Sequence, residues 1–150
     1  MRGLLLLVLV GAGSAHAQTP VPGPTLSPAD VVRIQLEALR GGGAGDEGIA
    51  TCFAFASPRN KRATGPLNRF ARMIREGPYE LMLRYRDATF HPIEQHGASA
   101  VQRVTLIDAT TVVTYLFVLS RQDGSPCQGC CPNCWMTDGV YIDTVGGRMT

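Results

Sequence analysis

Thr111 to Ser120, "TVVTYLFVLS", is the stretch that decides the fold class. Ten residues without Pro, Gly or charge, rich in β-branched and aromatic side chains and apolar at odd and even positions alike, predict a central β-strand rather than an amphipathic helix. The neighbouring segments share its period of two. Ala88 to Gln95 reads as a strand interrupted by Pro92, which places it at a sheet edge, and Gly97 turns the chain into a strand over Ala100 to Asp108. Downstream, Asp123-Gly124 marks a turn, a cluster of cysteines intervenes, and Trp135 to Ile142 supplies a last strand.

Upstream the period is helical. Ser27 caps a helix, Pro28 suits its first turn and Asp30 completes a capping-box spacing, after which Val32, Leu36 and Leu39 form an apolar stripe that Gly41-Gly42-Gly43 ends. A second helix is expected over Asp46 to Ala56, stopping at Ser57-Pro58 because the residue before proline avoids helical angles. The third begins near Pro66, with Leu67, Phe70, Ala71 and Ile74 on one side, and Gly77-Pro78 breaks it. Tyr79 to Leu83 fits one more helical turn. Three helices followed by four antiparallel strands mean an α+β domain.

The chain begins with a short basic start and an apolar run, Leu4 to Val10, ahead of the small-x-small pattern Ala15-His16-Ala17. Residues 1–17 are therefore expected to be a signal peptide, too short in its apolar part for a membrane span. That implies an exported protein, periplasmic or secreted, with no membrane attachment after cleavage. Residues 18–26 read as a proline-rich tether, and residues 27–145 as one domain carrying a cysteine-rich insert at 125–134. A net charge of +2 is too small to imply a polyanionic partner. The basic run Arg59, Lys61, Arg62, Arg69, Arg72 and Arg75 lacks interleaved aromatics, so it predicts a solvated face and no nucleic-acid binding.

The insert "CQGCCPNC" sets Cys127-x2-Cys130 directly against Cys131-x2-Cys134. Zinc ribbons separate such halves by a long loop, and here there is none. In an exported chain the expectation is disulfides among these four, pairing open except that bonding the neighbours Cys130 and Cys131 is disfavoured by ring strain. A compact thiolate site for a soft ion such as copper(I), using the same four residues, is the alternative, and redox exchange ranks below both. Cys52, beside Phe53 on an apolar helix face, reads as a buried free thiol. No cofactor is called for.

The run "GIATCFAFASPRNKRATGPLNRFARMI", followed by "PYELML" and later by "CWMTDGVY", resembles an uncharacterised domain family, domain of unknown function 4864, placed with the nuclear-transport-factor-2-like or SnoaL-like superfamily. The resemblance spans residues 27–142 and implies a curved antiparallel sheet wrapped by helices into a cone with an internal pocket. It implies no established activity, because superfamily members include isomerase-like and cyclase-like enzymes as well as proteins that only bind or dimerise. The four-cysteine insert departs from the family pattern.

An isomerase-like mechanism needs a carboxylate base facing a donor in a dry pocket. Asp138, Tyr115 and His91 are the candidates, with Asp108 and Tyr85 behind them. Each also has a structural reading: Asp138 in a turn or bulge of "TDGV", Asp108 at a strand end, Tyr115 in the core, His91 on the strand surface. Arg59, Asn60 and Arg62 in "SPRNKRATGP", with Trp135, are candidate ligand contacts at the cone mouth, although the loop reads first as a helix-to-helix connector. The expected function is an exported binding or assembly module, taking a small-molecule ligand and self-associating into a homodimer through its open sheet face. An isomerase- or cyclase-type enzyme is the main alternative, and a metal-handling protein using the insert the third.

Overall fold

The computed structural model describes residues 18–42, 45–125 and 131–146. Within them five helices, α1 (Pro28–Gly41), α2 (Glu47–Ala54), α3 (Pro58–Thr64), α4 (Leu67–Glu76) and α5 (Leu81–Arg84), precede five strands, β1 (Asp87–Phe90), β2 (Glu94–His96), β3 (Ser99–Ile107), β4 (Val112–Arg121) and β5 (Trp135–Gly146). Every ladder between strands is antiparallel, in the order β1-β3-β4-β5. β2 continues along the edge of β3 that β1 begins. Pro92 separates β1 from β2, since it has no N–H to donate to the ladder. The expected signal peptide, 1–17, lies outside the described residues.

The helical part departs from the three-helix reading in one informative place. "SPRNKRATGP" is not a connector but contains α3: Ser57 adopts an extended conformation, its hydroxyl accepts from the Asn60 N–H, and Pro58 occupies the first turn. The Ser-Pro pair that ends one helix therefore starts the next, because a proline that cannot continue a helix is well suited to begin one. α2 ends at Ala54, two residues early. α1 starts as expected, with a reciprocal capping box in which Asp30 accepts from the Ser27 hydroxyl and backbone N–H, holding its carboxyl below the usual range. Gly48 lets α2 lie against the end of α1, because a Cβ there would stand 2.0 Å from the Ala38 carbonyl oxygen.

β4 lies between β3 and β5, as its apolar sequence predicts. Its burial nevertheless alternates: Val113, Tyr115, Phe117 and Leu119 are buried beneath the helices, whereas Val112, Thr114, Leu116 and Val118 are only partly covered. One sheet face, not both, carries the core. With Ala100, Val104 and Leu106 of β3, that face packs against Val31, Val32, Leu36 and Leu39 of α1 and Phe70 and Ile74 of α4.

β5 runs past Ile142 to Gly146 and carries two irregularities. Leu119 pairs with Thr137 but Val118 with Gly139, and Thr114 pairs with Thr144 but Tyr115 with Ile142. Asp138 and Asp143 are thus the extra residues of two β-bulges. Bulges bend a strand and re-aim side chains, and the first of them shapes the site.

Candidate functional site

The site grows from Thr137, a buried residue just before the first bulge. Its hydroxyl donates to Gln35 Oε1 at 2.6 Å and its N–H to the Phe55 carbonyl at 2.9 Å. Its own carbonyl accepts from the Ser57 N–H at 2.9 Å and from Asn60 Nδ2 at 3.0 Å. Gln35, also buried, donates in turn to the Cys52 carbonyl. A short parallel bridge, Ala56 to Thr137, joins the end of α2 to the sheet. These bonds satisfy polar groups that would be costly to bury unpaired, and they fix α1, α2 and α3 against β5.

The signature "FASPRNKRATGP" reads residue by residue as this junction. Phe55 and Ala56 are core, Ser57 and Asn60 hold Thr137, and Lys61 donates to the Ala54 carbonyl with its ammonium over the Phe53 ring. Burial lowers the Lys61 pKa. Thr64 donates back to the Asn60 carbonyl. Of the basic run, Arg59, Arg62, Arg69, Arg72 and Arg75 are exposed, as expected of a solvated face, with Arg75 paired to Asp46, and Lys61 alone is half-buried.

Beneath this junction lies a cavity of about 260 Å³ between the helices and β5. Its walls are mainly apolar, with Leu39, Phe70, Met73, Ile74, Met82 and Phe117 among them. Polar groups enter from Asn60, Thr64, Asp138, Tyr79 and Tyr141. Regular alternation after the inward-facing Thr137 would direct Asp138 away from the core, and the bulge returns it to the cavity. Tyr141, more than half exposed, folds its ring over Gly139, where a Cβ would come within 2.8 Å of the phenol oxygen. Tyr79 donates to the Val140 carbonyl, and burial together with the neighbouring Tyr141 raises its pKa. Cys52 also lines the cavity, with its thiol pushed up to about 12 by burial. At neutral pH it is an uncharged wall.

A second, more open and more polar cleft of about 360 Å³ shares Asp138 with the first and is lined by Arg59, Arg62, Gln122 and Asp123. The ligand contacts expected of "SPRNKRATGP" are thereby divided, with Arg59 and Arg62 in the outer cleft and Asn60 in the inner cavity. Trp135 is buried in the core at the start of β5 and lines neither.

The acid and base candidates do not gather. Tyr115 is fully buried, stacks on Tyr79 and donates to the Pro78 carbonyl at 2.7 Å, its pKa pushed up to about 12 chiefly by burial. His91 Nε2 meets the Thr105 hydroxyl, which meets that of Thr114, in a polar row across the uncovered sheet face. Asp108, just past β3, is held by Arg84 and lies 3.8 Å from Arg86. Tyr85 is buried under the Arg40 guanidinium. Asp138 alone of the five lines the cavity. Tyr79, Tyr141, Gln35 and Thr137 were missed in the sequence. A polar Gln35 inside the apolar stripe of α1 was the one available signal.

In the insert, Cys131 and Cys134 form a disulfide, and Cys52 is a buried free thiol. Cys127 and Cys130 lie outside the described residues. Among the described residues no group of three or more His, Cys, Asp or Glu is placed to hold a metal ion, and no helix is long and apolar enough to cross a membrane.

No curated protein and no solved structure shows significant similarity to the sequence. A family profile does match, over residues 26–142, which covers the helices, the junction at Thr137, the cavity and most of β5. The chain belongs to the family described as domain of unknown function (DUF4864).

Proposed function

We propose that the domain is an exported binding module that takes a small, largely apolar molecule into the cavity between its helices and β5. The observation that carries this reading is the cavity's composition: apolar walls, a protonated thiol, and a few polar groups that include Asn60, Thr64 and Asp138. Sites of this kind bury an apolar ligand body and orient it by a small number of polar contacts, in volumes of about 300–1,000 Å³. At about 260 Å³ the cavity falls just below that range, which suits a small ligand of one or two rings. Helices on one face of a sheet bent by two bulges agree with the cone of the nuclear-transport-factor-2-like or SnoaL-like superfamily, which we take to be the fold. The Cys131–Cys134 disulfide agrees with export.

Binding is favoured over isomerase or cyclase chemistry because Tyr115, His91 and Asp108 are each engaged elsewhere, so that of the acid and base candidates Asp138 alone reaches the cavity. Calorimetric titration of the mature protein with 1-naphthol tests the reading. Saturable binding with a negative heat-capacity change is expected, and it should be abolished by Ala63→Phe, which places a ring at the cavity rim. Equal binding by the two proteins, or none by either, would refute a ligand in this cavity.

A further inference from the structure

We propose that the Cys131–Cys134 disulfide is a site of thiol–disulfide exchange, entered through Cys131 by a low-molecular-weight thiol. The bond contributes little as a staple. It encloses only Pro132 and Asn133 in a turn that backbone hydrogen bonds already close, since the Cys134 N–H donates to the Cys131 carbonyl, the Asn133 N–H to the Gln122 carbonyl, and the Gln122 N–H to the Cys134 carbonyl. Arg121 Nε donates to the Asn133 carbonyl at 3.2 Å. Asn133 holds a positive φ of 62°, a conformation asparagine tolerates better than most residues. The turn can therefore stay in place when the sulfurs part.

The two cysteines are unequal. Cys134 is fully buried beside Trp135, whereas Cys131 is partly exposed and is followed by the exposed Pro132 and Asn133. Of the two residues, Cys131 is the one open to a thiolate from solvent. The incoming thiolate forms a bond to Cys131 Sγ and breaks the Cys131–Cys134 bond, and the electron pair leaves on Cys134 Sγ. That sulfur takes a proton from water. Cys134 Sγ already lies 3.7 Å from the Pro132 carbonyl, an acceptor for the new S–H. A second thiolate attacks the external sulfur of the mixed disulfide, releasing the oxidised small disulfide and a Cys131 thiolate. Two thiols are oxidised to one disulfide as one protein disulfide is reduced.

The test uses the full mature chain in a Cys127→Ser/Cys130→Ser background, so that the other insert cysteines take no part. In mixtures of reduced and oxidised glutathione the Cys131–Cys134 bond should open and reform reversibly, read by alkylation and peptide mapping. Adding Cys134→Ser should trap a glutathione adduct on Cys131, whereas adding Cys131→Ser should leave Cys134 unmodified until denaturant is added. A bond that opens only in denaturant, or an adduct that forms as readily on Cys134, overturns the proposal. If either serine variant loses the native Trp135 fluorescence, acid-quenched adducts of the parent protein decide the same point, on Cys131 in support and on Cys134 against.

Discussion

Thr137 Oγ1 and Gln35 Oε1 lie 2.6 Å apart although 102 positions separate them in the chain, and through this hydrogen bond the last strand is tied to the first helix. Both residues are buried, so the bond carries a penalty for any single change. Thr137→Val leaves Gln35 Oε1 unpaired and should cost about 1–3 kcal/mol in urea unfolding. Gln35→Leu should cost at least as much, since it leaves the Thr137 hydroxyl without its acceptor and also removes the amide bond to the Cys52 carbonyl, which keeps only the Phe55 N–H. The double variant should be less destabilised than the sum, by about 0.5–3 kcal/mol. Strict additivity would show that the two groups do not interact.

Cys52 makes stability sensitive to alkali. Its pKa is raised from 9.0 in the unfolded chain to about 12 in the core, so the folded state holds a proton that the unfolded state releases. The contribution is fully present below pH 9.0 and declines as pH rises towards about 12, with a slope of about 1.4 kcal/mol per pH unit. Tyr115, also raised, acts in the same direction above its ordinary pKa. Cys52→Ala should flatten this decline in unfolding free energy, whatever it costs at neutral pH. An unchanged pH profile would mean that the thiol is not enclosed.

The state of the insert can be read by mass. Cys131 and Cys134 are paired and Cys52 is a buried free thiol, and the four cysteines of "CQGCCPNC" in an exported chain predict two bonds within the insert. Intact mass spectrometry before and after reduction should reveal two bonds, with Cys52 alkylated only after unfolding. Removing the Cys131–Cys134 bond should weaken the domain by at most about 2 kcal/mol, the chain-entropy value for so short a loop. Stoichiometric copper or zinc on four reduced thiols would instead favour the metal-handling alternative.

Asp138 separates binding from catalysis. Replacing it with Asn keeps the bulge's size and removes the charge, so affinity for an uncharged ligand should change by no more than about a few-fold. A rate loss of about a hundredfold or more in any turnover assay, with stability intact, would assign it the role of a general base.

Much of this was legible in the sequence, and what was not has physical reasons. The order of helices then strands, the edge position before Pro92 and the internal β4 follow from local periodicity and proline chemistry, which act over a few residues. α3 was hidden because Ser57-Pro58 is a stop when read from one side and a start when read from the other. Gln35 and Thr137 were hidden because a hydrogen bond across 102 residues leaves no local pattern beyond a polar residue in an apolar stripe. The Asp138 bulge was anticipated from Asp-Gly, but its effect of turning a carboxylate towards the cavity depends on register with β4, which only the folded sheet defines.

Methyl-resolved NMR of the mature protein titrated with 1-naphthol tests the binding claim most directly, because Leu39, Met73, Ile74, Met82 and Val140 place reporters around the cavity. Saturable shifts should be confined to these methyls and be lost in Ala63→Phe, while methyls on the uncovered sheet face, such as Leu116 and Val118, stay still. Shifts centred on Leu116 and Val118, or cavity methyls unmoved at saturating ligand, would contradict a ligand site between the helices and β5.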